Sequence, residues 1–189
     1  MAGKLVSSMK LIRTLTALAL CAIPVLAADA MPDARQIFDR QLTNTEREVV
    51  GLADAMPADK FDFAPTNGNF KGVRTFALEA RHIAFEINCV ADALLGEPIP
   101  SQEHENGPDE LKSKEQIMKY LRDAFAHAHK AVATLTNANL MELTTSPFNP
   151  KGKSPRVESV AIFYWHTYDH YGQMVEYLRM NGLVPPASR

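Results

Sequence analysis

Cysteine is scarce in this chain: two in 189 residues, Cys21 and Cys89. No run of basic residues breaks the sequence, there is no internal repeat, and no GxSxG elbow is present. Sustained period-two alternation of apolar and polar residues is also missing, which argues against an extended sheet. Each absence excludes something. A chain so poor in cysteine cannot be a disulfide scaffold and must rely on its core. A chain without a basic patch is a poor binder of nucleic acid or anionic lipid. Composition, at 46% hydrophobic and 22% charged residues, is that of a globular protein.

The N-terminus reads as a secretory signal peptide. "MKLIR" from Met9 is a basic start, and "TLTALALCAIPVLA" is a short apolar run ending in small residues. Cleavage is expected after Ala27, or after Ala30. The apolar run is well under the roughly 20 residues a membrane-spanning helix needs. Leu20 is a poor residue directly before a lipidated cysteine, so Cys21 is not read as a lipid anchor. Loss of Lys4, Lys10 and Arg13 takes the net charge from −2 to −5 and leaves Cys89 as the one cysteine. The mature protein is expected in the periplasm or outside the cell, acidic, with no membrane association after signal removal.

Residues 33–189 read as one all-α domain, a four-helix bundle. Asp33 to Ala55 is amphipathic, with Ile37, Leu42, Val49 and Leu52 apolar, and Met56-Pro57 ends it. A second helix is expected from near Val73 to Leu95, carrying Phe76, Ile83, Ile87, Val90 and Leu94, and stopped by Gly96. A third runs from Lys114 to Leu135, and a fourth from Arg156 to Asn181-Gly182. The stretch "TNANLMELTTSPFNPKGKSP" is read as a loop, with a short helical turn near Leu140. The inner connections are longer than those joining adjacent antiparallel helices, so some are expected to cross the bundle.

The stretch "FYWHTYDHYGQM" in the fourth helix holds His166 and His170, four apart and therefore on one helix face. His82 lies in the apolar run of helix two. One histidine from helix two and two from helix four would supply three neutral nitrogens and leave coordination positions free, a catalytic rather than a structural pattern. Glu86, a turn after His82, is a candidate to hold a ring N–H, add a ligand or act as a base, and Gln173 to orient His170. His104, His127 and His129 are read as exposed polar residues. Tyr164, Tyr168 and Tyr171 are read as packing residues, and Cys89 as a buried structural thiol.

"VRTFALEARHIAFEIN", followed by "FYWHTYDHYGQMVEYLRMNGLVPPASR", resembles the DinB-like superfamily, and "DKFDFAPTNGNFKGVRTF" resembles that family's entry into its second helix. The resemblance spans essentially the whole mature chain. It implies a four-helix bundle in up-down-down-up order and a divalent metal, zinc or nickel, on His82, His166 and His170. It also implies a homodimer and an activity of thiol S-transferase type, while a three-histidine ion with open positions could equally activate water for hydrolysis of a small molecule. An export signal sets this chain apart from thiol-dependent relatives that work in the cytoplasm. The other reading is a non-enzymatic exported metal-binding or dimeric interaction module.

Overall fold

A computed structural model describes residues 32–189, so the expected signal peptide and its cleavage site lie outside the described residues. Four helices form around one core: α1 (Ala34–Ala55), α2 (Phe76–Leu95), α3 (Lys114–Val132) and α4 (Arg156–Met180). Among the described residues no helix is long and apolar enough to cross a membrane.

Helix boundaries follow their capping chemistry. Asp33 accepts from the Arg35 amide and starts α1. Thr75 accepts from the Leu78 amide at 3.2 Å, which places the start of α2 at Phe76 rather than Val73. Ser113 and Gln116 form a reciprocal capping box at α3. Gly96 at φ 78° and Gly182 at φ 73° take the left-handed conformation that ends α2 and α4 without a Cβ penalty. Helix α3 ends at Val132, and the residues up to Leu135 close it in tight turns.

Helix α2 is central. Seventeen of its twenty residues are buried, so it must be covered on nearly every side. It packs against α3 and α4, while α1 packs against the same two helices. Ala77, Ala80, Ala84 and Ala91 on α2 let neighbours approach closely. Around them Phe76, Phe125, Phe163, Leu42, Leu52 and Met174 are fully buried, each contributing roughly 1.5–3 kcal/mol of burial free energy. Of the apolar positions read on α1, Ile37 stays at the surface and the others are buried.

The segment read as a loop after α3 contains a hairpin instead. Strand β1 (Leu143–Ser146) pairs antiparallel with β2 (Asn149–Pro155), with a bulge between Thr145 and Ser146. The strands are short, polar and proline-bearing, so they show none of the alternation that marks a half-buried strand. Tertiary contacts hold them: the Thr144 hydroxyl donates to the Ala93 carbonyl at the end of α2. Val157 donates to Leu140, and Arg156 to Glu142, fastening the hairpin's base to the start of α4.

Candidate metal centre

His82 is buried in the first half of α2, three residues from the capped N-terminal turn. His166 and His170 stand one turn apart on α4. Packing of α4 against α2 brings all three imidazoles together. His166 Nε2 lies 3.2 Å from His82 Nε2 and 3.1 Å from His170 Nε2. One ligand atom from each falls within 4.8 Å of the others, a group able to hold a metal ion. Imidazole nitrogens about 2.0–2.1 Å from one ion, at tetrahedral angles, lie roughly 3.3 Å apart, so the spacing fits.

The outer ring nitrogens fix the tautomers. His82 Nδ1 donates to the Glu105 carbonyl at 2.6 Å, and His170 Nδ1 donates to the Glu79 carboxylate at 2.7 Å. A carbonyl only accepts, as does an ionised carboxylate, so both Nδ1 atoms carry hydrogen, and a neutral ring then offers a lone pair at its Nε2. Two lone pairs therefore aim at His166 Nε2, which has one hydrogen at most. Without a cation one close nitrogen pair stays unsatisfied.

Burial favours the neutral form of His82 and His166. It holds His82 down at about 4, against the hydrogen bond to the Glu105 carbonyl, and Arg74 and the other two imidazoles add to the drop. Burial, and then repulsion from any proton His170 gains, hold His166 at about 4. Arg74 is itself tied to the 97–113 connection through Asn106 at 2.7 Å and Glu105 at 3.1 Å. That connection thus supplies the carbonyl that orients His82. Gly107, at φ 70°, lets it pass within contact of the Arg81 backbone. Phe148 at the hairpin turn and Trp165 on α4 flank His166, with ring centroids 5.4 and 5.2 Å away.

The other expected residues divide. Glu86 is buried on the same side as His82, but its carboxylate is 4.0 Å from Nδ1, and the Glu105 carbonyl already occupies that nitrogen. Glu86 Oε2 is buried without a hydrogen-bond partner. Burial, with the Glu105 carboxylate adding, pushes its carboxyl up to about 7. Gln173 is half-buried and has no hydrogen bond to His170. Cys89 is fully buried, and burial pushes its thiol up to about 12, so it is no nucleophile. Tyr164 donates to the Phe38 carbonyl and Tyr168 to Glu48, both packing α4 on α1.

Two histidines read as exposed are not. His129 meets Asp39 at 2.6 Å through Nδ1 and Glu46 at 3.1 Å through Nε2, joining α3 to α1. His127 faces the opposite way and bonds Asn88 on α2. Their two-residue spacing does send them apart, but each direction meets a helix. His104 is exposed as expected.

Glu79 was not among the residues read from the sequence. Its signal is there: Phe76, Glu79, Ile83 and Glu86 follow one helical stripe, and a carboxylate on an apolar stripe needs a partner inside. The Glu105 contribution is a backbone carbonyl, which side-chain identity cannot announce.

Four helices around one core and a small hairpin, with a three-imidazole cluster between two helices able to hold a metal ion, define a mostly helical domain with a candidate metal centre. The chain belongs to the DinB superfamily, whose family model matches residues 41–174. The fold is similar to the crystal structure of a DinB-like protein from Bacillus cereus ATCC 10987. The two share 17% identity and a TM-score of 0.64, over 80% of this chain and 95% of that one. No curated protein sequence matches the chain.

Proposed function

We propose that this protein is an exported metal-dependent enzyme of the thiol S-transferase or hydrolase type. Its divalent ion, zinc or nickel, would be held by His82, His166 and His170, and its substrate would be a small molecule. The carrying observation is the convergence of two oriented lone pairs on His166 Nε2, with only one hydrogen to share. A bound ion of this kind acidifies a coordinated water or thiol or polarises a carbonyl.

The chain's own residues prepare that site. Glu79 and the Glu105 carbonyl fix ring orientation before any ligand arrives. Burial keeps protons off His82 and His166 at neutral pH. Glu86 is set away from the Nε2 cluster, and among the described residues the group that meets there is the three histidines alone. That leaves positions for substrate, which favours an enzyme over a closed metal carrier. Phe148 and the exposed Trp165 beside His166 would favour substrates with an apolar portion. Lys114 meeting Asp54 and His129 meeting Asp39 run α3 against α1, Tyr164 on Phe38 and Tyr168 on Glu48 run α4 along α1, and His170 on Glu79 with Arg156 on Leu94 run α4 against α2, which supports the up-down-down-up order. A homodimer and a periplasmic or secreted location complete the reading, and rest on the family resemblance and the N-terminal pattern.

Elemental analysis of protein gel-filtered in metal-free buffer tests the centre. His166→Ala and His170→Ala should each lose the retained stoichiometric metal while circular dichroism stays helical. Unchanged metal in both variants would reject the site. Thiol-transfer and ester or amide hydrolysis assays on the metal-loaded protein then separate the two reaction types.

A further inference from the structure

A second group of donors lies at the other end of α2, where Asp92, Glu97 and His127 bring one ligand atom each within 4.8 Å of one another. We propose that these three residues form a separate divalent-cation site, independent of the three-histidine cluster. Asp92 sits on the last turns of α2 and is buried. Gly96 turns the chain back in the left-handed conformation, and the Glu97 amide donates to the Asp92 carbonyl at 2.8 Å. This returns the Glu97 side chain over the end of the helix. His127 arrives from α3.

The imidazole is already oriented. Its Nδ1 donates to the Asn88 side-chain oxygen at 3.1 Å, one turn before Asp92, which directs Nε2 toward both carboxylates. Nε2 is 3.4 Å from Asp92 Oδ1 and 3.9 Å from Glu97 Oε2. Charge-assisted hydrogen bonds run about 2.7–2.9 Å, so no ion-pair hydrogen bond is closed here. His129, two residues along the same helix, shows the contrast: its carboxylates close to 2.6 and 3.1 Å. Donors separated by 3.4–3.9 Å instead suit a common ion at about 2.0–2.2 Å from each, after a small inward shift of the exposed Glu97 side chain.

Charge balance points the same way. Two carboxylates at the carbonyl end of a helix that has no basic residue in its last turn carry more negative charge than one imidazolium offsets. Arg156 reaches this helix end but bonds the Leu94 carbonyl at 3.0 Å and the Thr134 hydroxyl at 2.6 Å, not the carboxylates. Burial, opposed by His127 and reinforced by Glu97, raises Asp92 above the usual carboxylate range. A neutral imidazole nitrogen with two carboxylate oxygens is a donor set for a borderline or hard divalent ion such as zinc or manganese.

Zinc titration of the metal-stripped full chain, read by equilibrium dialysis with elemental analysis, tests this. The expected result is one zinc equivalent whose affinity falls about tenfold or more in both Glu97→Gln and His127→Gln. That equivalent persists in His166→Ala, so the test stands apart from the three-histidine centre. Glu97 is surface-exposed, so its variant folds even if the His127 variant loosens α3. If no zinc component responds to both substitutions, the group is an open ion pair and the proposal is wrong.

Discussion

Replacing Glu79 with glutamine would separate a metal centre from a cluster of packed histidines. The glutamine keeps the shape and an accepting oxygen, but removes the charge that faces His170 Nδ1 at 2.7 Å. Glu79 is 1% exposed, so water cannot replace what is lost. A hydrogen bond to a charged group contributes about 1.5–3 kcal/mol. The glutamine oxygen retains a neutral bond of about 0.5–1.5 kcal/mol, so about 1–1.5 kcal/mol is lost and, at about 1.4 kcal/mol per decade, zinc affinity should fall roughly 5- to 13-fold. The control is the same substitution at Glu86. Its carboxylate is 4.0 Å from a nitrogen that the Glu105 carbonyl already holds, so its effect should stay within about threefold. Competition of the metal-stripped variants against a chromophoric zinc chelator, followed on the tighter component, gives both numbers. Zinc binding by Glu79→Gln within threefold of wild type would refute the reasoning, as would an equal loss in Glu86→Gln.

Acid should destabilise the metal-free protein through its neutral rings. His82 titrates at about 4 when folded against 6.5 unfolded, so the unfolded chain gains the proton first as the pH drops. Stability should hold above the unfolded value and decline toward pH 4, by roughly 3 kcal/mol from His82, with His166 adding in the same direction. Denaturant melts across that window would show it, and a flat profile would contradict it. Glu86 works in the opposite sense: its folded carboxyl, at about 7, favours the protonated form, so its contribution is lost as pH rises from 4.5 through 7. Glu86→Gln should therefore steepen the acid decline. Gly107→Ala forces a side chain onto φ 70° and sets a Cβ 3.1 Å from the Arg81 carbonyl oxygen. It should cost about 1–2 kcal/mol in denaturant unfolding. Because the same loop holds His82, zinc affinity should drop with it.

The helices and the three histidines were legible in the sequence because both are periodic signals. Phe76, Ile83, Ile87, Val90 and Leu94 trace the buried face of α2, and a four-residue spacing puts His166 and His170 on one side of α4. What stayed hidden lacks a period or lies in the backbone. The hairpin of Leu143–Ser146 with Asn149–Pro155 is polar and short, and owes its place to Thr144 and Arg156 reaching other elements. His127 and His129 looked solvated because a polar residue on a helix gives no sign of what faces it. Their partners come from α1, from α2 and from beyond the α2 stop. Glu79 was readable as a charge out of place on an apolar stripe, whereas the carbonyl of Glu105 was not.

His82 and His166 are 84 positions apart along the chain. An ion gripping both would fasten distant segments much as a covalent bridge does, in a domain whose described residues hold a single free cysteine. Tethering points that far apart would withdraw roughly 4–5 kcal/mol of chain entropy from the unfolded ensemble. Such a tether, unlike a disulfide, would loosen with a chelator instead of a reductant, and metal supply would set how long the folded molecule endures.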